Sequence, residues 1–152
     1  MSQKERILVG MSGGVDSSAA AALLIEQGFY VSGVTLNLYD GEKCGSSKDI
    51  EDAAAVCQKL GIEHFVFDFK DKFEKSVIDK FISEYQIGNT PNPCIECNKH
   101  IKFGAMLDTA LEKGFDKIAT GHYAEVKKFG DRYVITRPKD RAKDQSYVLY
   151  SL

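Results

Sequence analysis

Short apolar runs alternate along this chain with longer segments of helical periodicity. The runs at residues 6–10, 30–38, 64–68 and 117–120 read as strands, and residues 17–27, 48–60, 70–85 and 101–113 read as helices. Gly28, Gly61 and Gly114 each stand just past a helical stretch, where a left-handed C-cap residue is expected. Repeated β-α units predict an α/β fold: a three-layer, doubly wound parallel sheet with helices on both faces and ligands at the carboxyl ends of the strands. After Thr120 the pattern changes. Residues 123–129 and 132–137 alternate about Gly130-Asp131 and predict a C-terminal β-hairpin. There is no internal repeat and no low-complexity segment.

At 152 residues and 43% hydrophobic content, the chain is expected to form one domain with a sizeable core. No apolar run is long enough to span a bilayer and no basic-plus-apolar leader stands at the start, so a cytoplasmic protein without a membrane partner is expected. Four cysteines in that setting suggest thiols, metal ligands or catalysis more than a disulfide framework. The net charge of −2 argues against a general nucleic-acid binder, but it is unevenly placed. Residues 1–97 carry 9 Lys/Arg against 15 Asp/Glu, whereas residues 98–143 carry 11 against 6. Either a phosphate-bearing macromolecule or plain solvent could face that basic end.

The densest chemistry lies between the first strand and the first helix, in Gly10-Met11-Ser12-Gly13-Gly14-Val15-Asp16-Ser17-Ser18. Glycines let the backbone turn with its N–H groups exposed, and an anion held there would sit at a helix N-terminus, where the dipole favours negative charge. Ser12, Ser17 and Ser18 add hydroxyls. A carboxylate at Asp16 would repel a phosphate unless a cation such as Mg²⁺ lay between them. The plainer reading is a βα turn capped by Ser and Asp, but so many such residues in register exceed what a cap requires. No Gly-Lys-Ser/Thr follows, so the turn is not of Walker type, and the dinucleotide fingerprint does not fit.

Further segments carry possible chemistry. In Asn89-Thr90-Pro91-Asn92-Pro93-Cys94-Ile95-Glu96-Cys97-Asn98, two prolines force extended backbone and end the preceding helix. Cys94 and Cys97 then stand at the mouth of a new helix, where a thiolate nucleophile is favoured. The same pair could be half of a zinc site, with Cys44 as a further ligand, or two inert thiols. Ala119-Thr120-Gly121-His122-Tyr123-Ala124 places a glycine directly after a strand, where a ligand can approach the backbone, with His122 either functional or simply hydrogen-bonded. Lys143-Asp144-Gln145-Ser146-Tyr147 opens a last, short helical pattern.

Ser12-Gly13-Gly14-Val15-Asp16-Ser17 resembles the pyrophosphate (PP) loop of the N-type ATP pyrophosphatases, whose fold is the adenine-nucleotide α-hydrolase type. With Thr90-Pro91-Asn92-Pro93, Cys97-Asn98, Lys102-Phe103-Gly104, Ala119-Thr120-Gly121-His122-Tyr123 and Lys143-Asp144-Gln145-Ser146-Tyr147, in order across essentially the whole chain, it resembles the tRNA-specific 2-thiouridylases. The resemblance implies a transferase that adenylates O2 of the wobble uridine with ATP and Mg²⁺, then replaces that oxygen with sulfur. The sulfur would come as a cysteine persulfide, fed by a sulfur relay or cysteine desulfurase, onto a base splayed from the anticodon loop. It implies that Gly10, Met11, Ser12, Gly13, Gly14, Val15, Asp16 and Ser17 hold the ATP phosphates, with Leu36 and Gly121 as further nucleotide contacts. Asn92, Pro93 and Cys94 would touch the target base, Cys97 would be the nucleophile, and Lys143, Asp144 and Gln145 would contact tRNA.

Relative to that family the chain is expected to be truncated, lacking a linking region, a β-barrel and the second catalytic cysteine. Where some members carry an aspartate proposed as acid/base or ligand, this chain carries Cys94. Cys94 and Cys97 could therefore hold an iron–sulfur cluster with Cys44. Other readings from the same loop are a nucleotide-binding fragment without turnover and an amide- or nitrogen-transferring ligase.

Overall fold

A computed structural model describes residues 4–40 and 46–152. Four parallel strands, β1 (Arg6–Gly10), β2 (Tyr30–Asn37), β3 (His64–Asp68) and β4 (Lys117–Ala119), form one sheet in the order β3-β2-β1-β4. Two helices, α1 (Val15–Glu26) and α2 (Ser47–Leu60), connect the first three strands, and α3 (residues 70–86) and α4 (residues 93–112) lead to β4. A two-stranded antiparallel hairpin follows, β5 (Glu125–Phe129) and β6 (Arg132–Thr136), and then single 3₁₀ turns at Arg141–Lys143 and Ser146–Leu149.

Alternation along β1 divides the core. Ile7 and Val9 face α1 and α2, in a cluster with Ala21, Val31, Ala53 and Cys57. Leu8 faces the other way, packed with Val34, Leu36, Phe67, Val77, Ile101 and Met106 beneath α3 and α4. Both faces of β1 are covered, and a strand so placed must be apolar throughout. The expected α/β, doubly wound arrangement is thus present, with the hairpin at its C-terminal end. No described helix is long and apolar enough to cross a membrane.

Three boundaries differ by two residues or more from the sequence reading, each for a local reason. Helix α1 starts at Val15, two residues early, with Gly14 as an extended N-cap that no side chain satisfies. Helix α4 starts at Pro93 rather than at residue 101, because Pro suits the first helical position and Asn92 Oδ1 accepts the Cys94 N–H at 3.0 Å. A π-helical stretch over Asn98–Ala105 shifts the register and hides the continuity from a 3.6-residue periodicity. Strand β5 starts at Glu125 rather than 123, because the Tyr123 backbone is engaged elsewhere: Gln145 N–H donates to Tyr123 O at 2.9 Å.

Candidate functional site

The phosphate loop lies at the carboxyl end of the sheet, between β1 and α1. Its first-turn amides have no intrahelical partners by helix geometry, and the N-cap glycine offers no side chain to satisfy them. Within the loop, Ser12 N–H donates to Ser17 Oγ at 3.3 Å, while the Ser17 and Ser18 hydroxyls donate to Gly14 O at 3.2 and 2.7 Å. Val15 and Asp16 are exposed, and Ser17 is buried. Uncapped amides, hydroxyls and a positive helix end in one exposed turn match a polyphosphate. Asp16 stands beside them with the carboxylate that a phosphate-bound Mg²⁺ would need.

Three neighbours hold this loop. Gly13 adopts φ 75°, and a Cβ there would lie 2.7 Å from Asp52 Cβ, so only glycine lets the turn rest on α2. From β2, the Thr35 hydroxyl donates to Met11 O at 3.0 Å; having spent its proton there, it must accept from His64 Nε2–H, 2.9 Å away. Burial lowers the His64 pKa, consistent with that neutral tautomer. From β4's end, a Cβ on Gly121 would sit 2.7 Å from Ser17 N and 2.9 Å from the Asp16 carbonyl carbon. The glycine expected to admit a ligand therefore also admits the N-terminus of α1.

Leu36, expected to line a nucleotide pocket, has its side chain buried in the core beneath α3 and α4. Its backbone is placed differently. Strand β1 ends at Gly10, opposite Val34, whereas β2 continues to Asn37, so β1 leaves that flank of Leu36 uncovered beside the loop.

Cys94 and Cys97 lie in the first turns of α4, Cys94 exposed and Cys97 half-buried against the core. A helix entering a parallel strand begins at the sheet's carboxyl end, so the cysteines share an end with the phosphate loop. Further along the same helix, Met106 Cε lies 3.5 Å from where a Gly10 Cβ would stand. Nine residues of helical rise, roughly 13 Å, separate that level from Cys97. A groove of about 260 Å³ opens beside Asn92 and Pro93, lined also by Phe81, Ile95, Glu96 and Tyr150. Lys80, hydrogen-bonded at 2.8 Å, holds the Glu96 carboxyl below the usual range.

The C-terminal segment ties the two regions together. Asn98 Nδ2, beside Cys97 and fully buried, donates to Val148 O at 3.1 Å. Tyr123 N–H donates to Gln145 Oε1 at 2.9 Å, and the Tyr123 hydroxyl donates to Asp16 Oδ1 at 2.8 Å. Lys143 Nζ lies 3.4 Å from that hydroxyl and 4.9 Å from the ring centroid. Lys143 and Gln145 are exposed, whereas Asp144 turns back, its Oδ1 accepting the Ser146 N–H at 2.8 Å. Burial, with Lys102 adding to it, pushes the His122 pKa down to about 4; its Nδ1 lies 2.8 Å from Thr120 Oγ1. His122 is therefore neutral near pH 7, held by hydrogen bonding.

Of the residues expected to hold a cluster, Cys44 lies outside the described residues. Among the described residues, no three His, Cys, Asp or Glu side chains are grouped to hold a metal ion. An iron–sulfur cluster thus finds two thiols and no third donor there. Thr35, His64 and the Tyr123 hydroxyl hold parts of the candidate site through hydrogen bonds that the sequence reading missed. Thr35 had a visible signal, as one of two polar residues, with Ser32, inside a strand that is mostly apolar.

The chain is similar to known proteins. A tRNA-specific 2-thiouridylase MnmA of Clostridium botulinum (strain Alaska E43) is 52% identical over 97% of this chain, and tRNA-specific 2-thiouridylase MnmA 1 of Syntrophus aciditrophicus is 49% identical over 98%. The chain spans 43% and 41% of those two proteins' lengths. Among solved structures, the U34-tRNA thiolase NcsA of Methanococcus maripaludis, with its [4Fe-4S] cluster, superposes with a TM-score of 0.52 at 29% identity, over 78% of this chain and 38% of that one. Residues 5–152 match the tRNA methyl transferase HUP domain, and the chain belongs to that family.

Proposed function

We propose that this chain is the ATP-activating, base-binding part of an enzyme that 2-thiolates the wobble uridine of tRNA. The observation that carries the reading is the shared end of the sheet: an uncapped phosphate loop and a helix start bearing two cysteines, joined through Tyr123, Gln145 and Val148. A nucleotide-binding domain without chemistry would have no use for the second element. Its similarity to 2-thiouridylases over nearly its whole length supports the same reading.

In this mechanism the loop amides and the α1 N-terminus bind the β- and γ-phosphates of ATP and stabilise them as pyrophosphate leaves. Asp16 would hold Mg²⁺, which would supply neutralising charge to the departing pyrophosphate. Asn92 and Pro93, beside their groove, orient the extruded uracil so that O2 meets the α-phosphorus. The O2–P bond forms as the α–β bridge breaks, turning a poor leaving group into AMP. The outer sulfur of a donor persulfide then attacks C2, and AMP departs with the oxygen. The Cys97 thiolate attacks the inner sulfur, the S–S bond breaks, a disulfide forms between Cys97 and the donor, and C2 keeps the thiocarbonyl. An external thiol reductant resets the pair. Such a substrate places the protein in the cytoplasm, with tRNA and a sulfur-donating protein as partners.

The test is ATP turnover with an unmodified tRNA transcript. Pyrophosphate should form only with tRNA and Mg²⁺, with AMP following only once a persulfide donor is present, and Asp16→Ala should abolish pyrophosphate formation while leaving the melting temperature unchanged. With a persulfide donor, nucleoside mass spectrometry should show 2-thiouridine, and Cys97→Ser should stop it without stopping pyrophosphate release. Binding of ATP with no tRNA-dependent pyrophosphate overturns the proposal.

A further inference from the structure

We infer that Tyr123 is a positioning residue that couples the basic segment at residues 137–145 to the phosphate loop, so that RNA bound at Lys143 strengthens Mg²⁺·ATP binding at Asp16. The inference rests on the proposed function above. A chain of donors runs from the Lys143 ammonium to the Tyr123 hydroxyl, at 3.4 Å, and from that hydroxyl to Asp16 Oδ1, at 2.8 Å. A phenol has one proton. Given to Asp16, it leaves the oxygen lone pairs for Lys143, so both contacts are made at once.

Tyr123 cannot drift from this place, since its backbone N–H and carbonyl are both bonded to Gln145. Lys143 is exposed and lies in a run with Arg137, Lys139 and Arg141, chemistry suited to an RNA phosphate. Asp16 is also exposed, at the first turn of α1. The Tyr123 hydroxyl thus joins an RNA-facing cation to the metal-facing carboxylate.

The sign of the coupling follows from charge. With no RNA, the Lys143 ammonium lies near Asp16 and opposes a divalent cation there. A phosphate that engages Lys143 neutralises or withdraws that charge, and the carboxylate, still held in place by Tyr123, takes Mg²⁺ more readily. Linkage requires the reverse effect to be equal, so Mg²⁺·ATP must tighten RNA binding by the same factor.

The experiment measures the dissociation constant of Mg²⁺·α,β-methylene-ATP with and without an unmodified anticodon stem–loop RNA, and the RNA constant with and without the nucleotide. The unaltered protein should show reciprocal tightening of about fivefold. In Tyr123→Phe, which keeps the ring under Lys143 and loses only the hydroxyl, that factor should fall towards one while the melting temperature holds. Lys143→Met should imitate the RNA-bound loop, binding Mg²⁺·nucleotide more tightly without RNA. Retention of the full coupling in Tyr123→Phe, or its absence from the unaltered protein when both ligands bind, overturns the inference and leaves the proposed function standing. Failure of the unaltered protein to bind nucleotide or RNA overturns both.

Discussion

Gly121→Ala tests how tightly the phosphate loop is wedged against the end of β4. The added Cβ would stand 2.7 Å from Ser17 N, 2.9 Å from the Asp16 carbonyl carbon and 3.0 Å from Ser17 Cα. All three are backbone atoms in the first turn of α1, so no side chain can swing away, and α1 or β4 must shift. Overpacking of this kind destabilises by about 1–3 kcal/mol. Against it, alanine restricts the unfolded chain and returns about 0.4–1 kcal/mol. The net loss of about 1–2 kcal/mol lowers the melting temperature by roughly 2–8 °C for a domain of this size. Gly10→Ala is the control, since the nearest atoms its Cβ would meet are Met106 Cε and Sδ, at 3.5 and 3.6 Å, and Ala119 O, at 3.8 Å, all in ordinary contact. Calorimetry should therefore separate the two variants, with Gly10→Ala melting close to the unaltered protein. Nucleotide titration should show weaker ATP binding in Gly121→Ala, because the displaced amide of Ser17 belongs to the loop. Equal melting temperatures for the two variants would refute the steric argument.

Other expectations concern the loop's supports and the thiols. Thr35→Val should leave Met11 O and His64 Nε2 without their shared partner, a loss of about 1–3 kcal/mol in urea unfolding. His122 has its folded pKa pushed from 6.5 to about 4, so between those values the unfolded chain holds more protons and stability falls as pH drops. Unfolding free energy followed from pH 7 to pH 4 should decline less steeply in His122→Gln than in the unaltered protein. Cys57 is buried and its thiol pKa is raised by burial, whereas Cys94 is exposed. Iodoacetamide followed by peptide mass spectrometry should label Cys94 in the native protein and Cys57 only after denaturant is added.

The sheet was legible in the sequence because each of its strands is a compact apolar run closed by a glycine or a polar turn. The phosphate loop was legible for a different reason, since three glycines and three serines around one aspartate have few other uses. The N-terminal half of α4 was legible only in part: the sequence predicts a helix start at Cys94 and Cys97, but helical periodicity is readable only from residue 101. Its π-helical stretch breaks the 3.6-residue period, and two prolines in front of it look like loop until Asn92 is seen to cap the helix. Tyr123 was hidden by its setting in an alternating pattern that suggested a strand, where its hydroxyl had no assigned partner. Only the fold brings residues 16, 123 and 143 together, and no local periodicity reports contacts of 107 and 20 residues' separation.

A loop whose amides await an anion is intrinsically unstable, because unpaired N–H groups and a positive helix end gain nothing from each other. Such a turn keeps its shape only if the rest of the molecule fixes it, and here each support comes from a different element. Helix α2 takes the Gly13 turn, Thr35 and His64 hold the Met11 carbonyl from β2 and β3, and the Gly121 backbone closes against Ser17 from the end of β4. A polyphosphate bound there would meet donors already in place, and less binding energy would be lost in ordering them. The same logic explains why the supports are polar or glycine while the core around them is apolar. Apolar side chains could fill that space, but they could neither hold a carbonyl in one direction nor let two backbones approach within contact of a missing Cβ. Replacing any one support should loosen the loop without unfolding the sheet, because two apolar clusters, one on each face, hold the layers together, and the supports touch them at Met11 and Ala53.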